Sequence, residues 1–199
     1  DYYMMLEQIY NEPADISIRT NMDKFWEGWQ ELSVNPESQA ARQAVVTRGK
    51  TLTESINQRW ESLEGIGNLL NGDIEATVKQ VNDLTRQIAN LNGEIVRSRA
   101  MGDNPNDLLD RRDLLVDKLS ELVNVTTDQR DSDEFMVHVD GKVIVQGNIA
   151  RKIDLAPRFD DTGYSKVVWA DTQEDAYFSG GKLGALIELR DVDVRQEIQ

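Results

Sequence analysis

No proline occurs between Pro36 and Pro105, and one apolar stripe runs through most of that interval in a single phase. Val45, Leu52, Ile56, Trp60, Leu63, Ile66 and Leu70 form its first part. Ile74, Val78, Val81, Leu84, Ile88, Leu91 and Ile95 continue it. From Val45 to Ile95 the stripe advances at about 3.6 residues per step, the α-helical period. Gly49, Gly65, Gly67, Gly72 and Gly93 interrupt the composition, each costing ~1 kcal/mol against alanine inside a helix. A true break at "NLLNGD" would reset the phase, and the phase is kept. The spacing therefore predicts one helix over about 37–101, ~100 Å long at ~1.5 Å per residue. Helices of that length belong to coiled coils and elongated bundles, seldom to compact enzymes.

The flanking segments fit around this spine. Residues 1–10 read as the last turns of a helix, broken at Pro13. A helix over about 16–33 carries Ile18, Met22, Phe25, Trp26 and Trp29. Asn35 with Pro36, and Asn104 with Pro105, have the chemistry of helix starts, and Asp107 sits near the positive end of the second. The helix 105–123 carries Leu108, Leu115, Leu119 and Leu122. After residue 124 the period changes to two. "EFMVHVDGKVIVQ" predicts a hairpin turning at Asp140–Gly141, with Val137 opposite Ile144 and His138 opposite Val143. Strands are expected through 150–155 and 165–169, and a last helix from about 182. The expected fold is α+β and mainly α: an elongated, rod-like helical bundle with one very long helix and a small antiparallel β unit. The expected division is a helical rod at 1–124, a β unit at 125–178, and a helix at 179–199 that returns to the rod or leads onward. Both ends fall inside helical patterns, as in a segment of a longer chain.

The formal net charge is −14, with 29% charged and 39% hydrophobic residues. Such acidity opposes a nucleic-acid surface, which needs a basic stripe, and opposes docking on anionic membranes. The chain has no cysteine, which excludes disulfides, thiolate metal sites and cysteine nucleophiles.

Little in the sequence is arranged for chemistry. His138 is the sole histidine and reads as a half-buried strand residue. Asp131 and Asp133 begin like a calcium loop, but Phe135 holds the fifth position and no glutamate closes it; "FDDTG" (159–163) is too short. "SGGKLG" has glycines and Lys182 before a helix without the spacing of a phosphate loop, so a tight backbone approach explains it better. Arg112 interrupts the apolar face of its helix. It either pairs with a carboxylate or extends its guanidinium to water. Trp26, Trp29 and Trp60 are expected to clamp the helix 16–33 onto the spine as core. No catalytic, cofactor-binding or metal-binding residue is assigned, and no enzyme activity is expected.

Four stretches together carry a resemblance. "FWEGWQELSVNPESQAARQAV" places Phe25, Trp29, Leu32 and Pro36 before an "AARQAV" helix. "IANLNGEI" (88–95), "NPNDLLDRRDLLVDKLSELVNV" (104–125) and "GGKLGALIELRD" (180–191) follow in order. This combination resembles the FlgK family of flagellar hook-associated proteins. The resemblance implies a non-enzymatic, exported axial subunit joining hook to filament, in the bacterial flagellum outside the cell or in a periplasmic flagellum. Implied partners are copies of itself in a ring-like layer, the hook protein, the second junction protein, and an export chaperone binding elsewhere in the full chain. No nucleic acid, membrane or cofactor is implied. The alternatives are another axial protein, either the second junction protein or a flagellin-like chain, and a coiled-coil secretion effector or tether.

Overall fold

The computed structural model describes residues 2, 4, 5, 17–131, 134–158 and 163–194. The expected break at Pro13, most of the expected helix 1–10, Asp133, most of "FDDTG" and the stretch beyond 194 lie outside the described residues. The chain forms α1 (Ile18–Val34), α2 (Gln39–Ala100), α3 (Asn106–Leu122), β1 (Val125–Asp131), β2 (Glu134–Val139), β3 (Lys142–Gln146), β4 (Ile149–Ala150), β5 (Ile153–Pro157), β6 (Ser165–Trp169) and α4 (Gly181–Glu188). A π-helical stretch, Leu189–Val194, continues directly from α4. The fold is mainly α with small antiparallel sheets, as expected. The 62-residue α2 is the predicted uninterrupted helix, about 93 Å of α-helix.

Packing divides the chain into two compact units, one reaching Gly67 and including Val194, the other Asn68–Asp193. Residues of α2 contribute to both. These units follow packing, whereas the expected limits at 124 and 178 follow changes of secondary structure.

In the first unit Ser17 caps α1, its hydroxyl accepting from Thr20 N at 3.1 Å. Asn35 does not start the long helix as expected. Its N–H closes α1 on Glu31 O, and Ser38 takes the capping role for α2, accepting from Ala41 N at 3.2 Å. Arg42 then reaches back to Pro36 O at 2.8 Å and 3.1 Å, satisfying a carbonyl in the turn. The second expected cap also differs: Pro105 occupies the N-cap of α3 and no side chain caps it.

In the second unit the α2 stripe is deeply buried, with Leu70, Ile74, Val81 and Ile88 fully enclosed. Asparagines beside it tie α2 to the β segments. Asn82 makes a two-way bond with the backbone of Ile153, donating to its O at 2.8 Å and accepting from its N at 3.0 Å. Asn92 donates to Gly147 O at 2.7 Å, and Asn71 accepts from Ser165 N at 3.1 Å. A strand end buried against a helix needs partners for its backbone, and the asparagines supply them.

Strands β1 to β4 form one antiparallel sheet in sequence order, and β5 pairs with β6 in a second. Asp140 and Gly141 both have positive φ, 48° and 79°, the geometry of a type I′ hairpin turn. His138 lies opposite Val143 as predicted. Val137 does not lie opposite Ile144: a bulge shifts the register, and Val137 pairs with Val145. The bulge lets Ile144 and Val145, neighbours in sequence, both be fully buried, which strict alternation forbids. Asp140 also does more than turn the chain. Its carboxylate accepts from Ser179 N at 3.0 Å, from Ser179 Oγ, and from Asn124 Nδ2 at 3.4 Å, fastening the hairpin to the segment before α4.

Candidate interaction surfaces

Residues that could do chemistry are dispersed. Among the described residues no group of three or more histidine, cysteine, aspartate or glutamate side chains could hold a metal ion. His138 is half-buried in β2. The "SGGKLG" stretch is a packing device, as expected. Gly181 has φ +70°, and a Cβ there would sit 2.6 Å from the backbone of Leu122 and Val123. A Cβ at Gly184 would meet Phe178 O at 2.8 Å. Lys182 is exposed beside them. The glycines thus let α4 press on the end of α3.

Arg112 is only 6% exposed, so it does not extend to water. Its guanidinium lies 3.8 Å above the Phe135 ring. The Asp113 carboxylate is 3.4 Å away, a weak bond from a largely exposed partner. Burial pulls the Arg112 pKa below its ordinary value, with Asp113 partly restoring it and the charge of Arg99 lowering it further. The cation is therefore held mainly by an aromatic face, a partner that one-dimensional spacing does not reveal.

A second buried cation was not anticipated as a site. Arg190, in the π-helical stretch, is 1% exposed. It bonds Asp191 at 2.8 Å and Asn71 at 2.7 Å, and lies 5.3 Å from the Tyr164 ring. Arg158 reaches the same Asp191 at 2.5 Å. Burial would raise the Asp191 pKa, but the hydrogen bonds and charges of Arg190 and Arg158 outweigh it and hold the carboxyl below the usual range. This cluster joins α2, the end of β5, the start of β6 and the π-helical stretch. It is a structural lock, with its polar atoms turned onto one another.

The tryptophans overturn the clamp expectation. Trp26, Trp29 and Trp60 are 58%, 48% and 51% exposed. The buried residues of α1 are Asn21 and Gly28, one heptad apart, so its inner face is small. A Cβ at Gly28 would lie 3.2 Å from the Arg48 side chain, and Gly49 sits against the Phe25 ring. Arg48 Nη1 donates to Lys24 O at 2.9 Å across this contact. Helices that approach through glycine bury backbone and stems, and the aromatics fall outside. Met22, Trp26 and Trp29 recur at helical spacing on α1, and Ile56 and Trp60 on α2, as exposed apolar strips. Phe25 meets Trp29 edge-on at 6.2 Å and Trp26 at 5.8 Å, so the α1 strip is an ordered aromatic cluster. An open hollow of about 500 Å³ beside it is lined by Phe25, Gly49, Lys50, Leu52, Thr53 and Glu54. Exposed aromatics of this density, without acid–base partners, suit contact with another macromolecular surface.

Comparison with known proteins decides the family. The family described as "Flagellar hook-associated protein FlgK helical domain" matches residues 3–199. The chain belongs to the FlgK family. Flagellar hook-associated protein 1 of Salmonella typhimurium is 31% identical over 98% of this chain, and that of Escherichia coli K12 is 31% identical over 90%. The Bacillus subtilis protein of the same name is 37% identical over 60% of this chain. The solved structure of the flagellar hook junction protein FlgK from Burkholderia pseudomallei superposes with a TM-score of 0.81 over 95% of this chain, at 27% identity. The chain spans only 24–37% of the length of these relatives. It thus corresponds to the FlgK helical domain. The relatives carry the names of hook-associated or hook junction proteins of the flagellum. The most regular feature of that domain here is α2, which passes from a sparsely covered stretch around Ile56 and Trp60 to the enclosed stretch beyond Leu63.

Proposed function

We propose that this chain is the helical-domain part of a hook–filament junction subunit, an axial component of the bacterial flagellum that joins hook to filament without catalysing a reaction. Its place is outside the cell, or in a periplasmic flagellum. Its partners are further copies in the same layer, the hook protein below and the second junction protein above, with an export chaperone engaging another part of the full chain. The observation that carries the reading is the pair of exposed apolar strips, Met22–Trp26–Trp29 and Ile56–Trp60, on a FlgK-family helix pair. Burying an exposed aromatic contributes about 1.5–3 kcal/mol, so such strips are worth covering by assembly or by the remainder of the longer polypeptide. By role, the helical segment 1–124 transmits load along its axis. The β unit 125–178 braces it, and 179–199 leads back to the rod or onward. No residue is assigned to catalysis, a cofactor or a metal.

The test is genetic and biochemical. Deleting the full-length gene from its host should leave hooks in place and release filament subunits into the medium. Filaments that remain attached after deletion refute the junction role. Complementation with Trp26→Glu and Trp29→Glu together should fail to restore attached filaments while the purified double variant keeps its helical circular dichroism. Full restoration removes the aromatic strip from the account.

A further inference from the structure

The β segments carry a surface that owes nothing to the aromatic strips. An open concavity of about 750 Å³ lies where β3, β4 and the turn after β6 come together. That volume falls within the ~300–1,000 Å³ of ordinary ligand sites. Its accessible apolar lining is Val143, Ala150, Ala170 and the 69% exposed side chain of Ile149, laid over the fully buried Ile144. Its charged lining is Lys142, Arg151, Lys152 and Asp171. With Glu174, which lies 3.7 Å from Lys142, three cations face two carboxylates, a small positive excess in a chain of net charge −14.

The cations are unequal. Arg151 is engaged: it forks onto Asp171 at 2.6 Å and 2.9 Å and lies 4.1 Å over the Trp169 ring. It is a fixed part of the wall. Lys142 stands 5.9 Å from the same ring and 3.7 Å from Glu174, a loose pairing. Lys152 is exposed and has no ion-pair partner among the described residues. Two exposed ammonium groups therefore flank the apolar lining, beside a wall where Arg151 joins Asp171 and the Trp169 ring. A small inorganic anion would use the charges and leave the apolar lining bare. A neutral apolar ligand would use that lining and leave the lysines unanswered.

We infer that this concavity takes up an acidic peptide segment of another macromolecule, with an aliphatic side chain on Val143, Ile149 and Ala170 and flanking carboxylates on Lys142 and Lys152. The inference does not rest on the junction role. The wider repulsion between two acidic molecules is screened beyond a Debye length of ~8–10 Å, whereas ion pairs at contact distance persist.

The experiment is titration of the isotope-labelled 199-residue protein with Ac-Asp-Leu-Glu-Leu-Asp-NH2, read by amide chemical shifts. The expected result is saturable shifts confined to the Lys142–Gln146, Ile149–Lys152 and Ala170–Asp171 segments. The neutral peptide Ac-Asn-Leu-Gln-Leu-Asn-NH2 should bind about tenfold more weakly or less. Lys142→Glu with Lys152→Glu should weaken the acidic peptide by about tenfold or more, with amides elsewhere unmoved. Should the double variant misfold, the exposed single change Lys152→Ala serves, with an expected loss of about threefold. Absence of shifts at millimolar peptide overturns the inference, as does equal binding of the neutral peptide or indifference to both lysine variants. Identical shifts from inorganic phosphate alone would mean an adventitious anion only, and overturn it equally.

Discussion

Gly181→Ala isolates the packing argument most sharply, because two independent costs fall on one methyl group. The first is conformational. Gly181 has φ +70°, and placing an L-residue in the left-handed region costs about 1–2 kcal/mol. The second is steric. The added Cβ would lie 2.6 Å from Leu122 C, Leu122 O and Val123 N, all backbone atoms at the end of α3. Backbone cannot swing aside as a flexible side chain can, and overpacking of this kind costs about 1–3 kcal/mol. Together they predict about 2–5 kcal/mol of destabilisation. For a chain of this size each kcal/mol moves the midpoint by about 2–4 °C, so Tm should fall by roughly 4–20 °C. Gly65→Ala is the matched control. Gly65 lies inside α2 with nothing within 4 Å of a Cβ, so alanine should stabilise by about 0.5–1 kcal/mol. Urea unfolding followed by circular dichroism and by tryptophan emission measures both. The emission is informative because Trp169 is buried while Trp26, Trp29 and Trp60 are exposed. A Gly181→Ala loss below about 0.5 kcal/mol, with Gly65→Ala unchanged in sign, would refute the close-contact reasoning.

Three further outcomes are expected. Trp26→Ala and Trp29→Ala should each change stability by less than about 1 kcal/mol in the isolated chain, far below the ~3–5 kcal/mol of a buried tryptophan, because both rings are about half in water; chemical denaturation of the two variants checks this. Asn92→Asp should cost about 2–4 kcal/mol, since it removes the donor to Gly147 O and leaves a carboxylate against a carbonyl. Asn71→Asp should be far milder, because Asn71 Oδ1 only accepts, from Ser165 N and Arg190 Nη1; equal losses in the two would sink the donor argument. Asp191 has a folded pKa below its unfolded value, so its contribution is present above the ordinary carboxylate pKa of ~3.9 and is lost as pH falls through the folded value. Stability measured from pH 6 down to 2 should therefore decline below about pH 4, and Asp191→Asn should flatten that decline while lowering stability at neutral pH.

The comparison of expectation with structure turns on which interactions are periodic. The long helix, the change of period after residue 124 and the type I′ turn at Asp140–Gly141 each depend on neighbours within a few residues. Their spacing is printed in the chain, and all three were legible from it. The order of the four FlgK-like stretches was legible for the same reason, since a family pattern is itself linear. The tryptophans show the limit. Their helical spacing marked them as apolar and co-facial, but whether that face is covered depends on how near α1 can come to α2. Gly28 and Gly49 decide this by allowing a contact made of backbone and stems. Arg112 shows it again: its position on the apolar face was visible, while Phe135, across the fold, was not.

By itself, then, the sequence determined the helical spine, the antiparallel hairpin and the family, because these follow from local period and residue order. Only the tertiary structure decided the burial of Ile144 beside Val145, the asparagine ties from α2 to the strands, the Arg190–Asp191–Arg158 lock, and the outward face of the tryptophans. Each of these depends on which distant groups meet in space. Such encounters are set by shape and by the need to satisfy buried polar atoms, neither of which leaves a repeat along the chain.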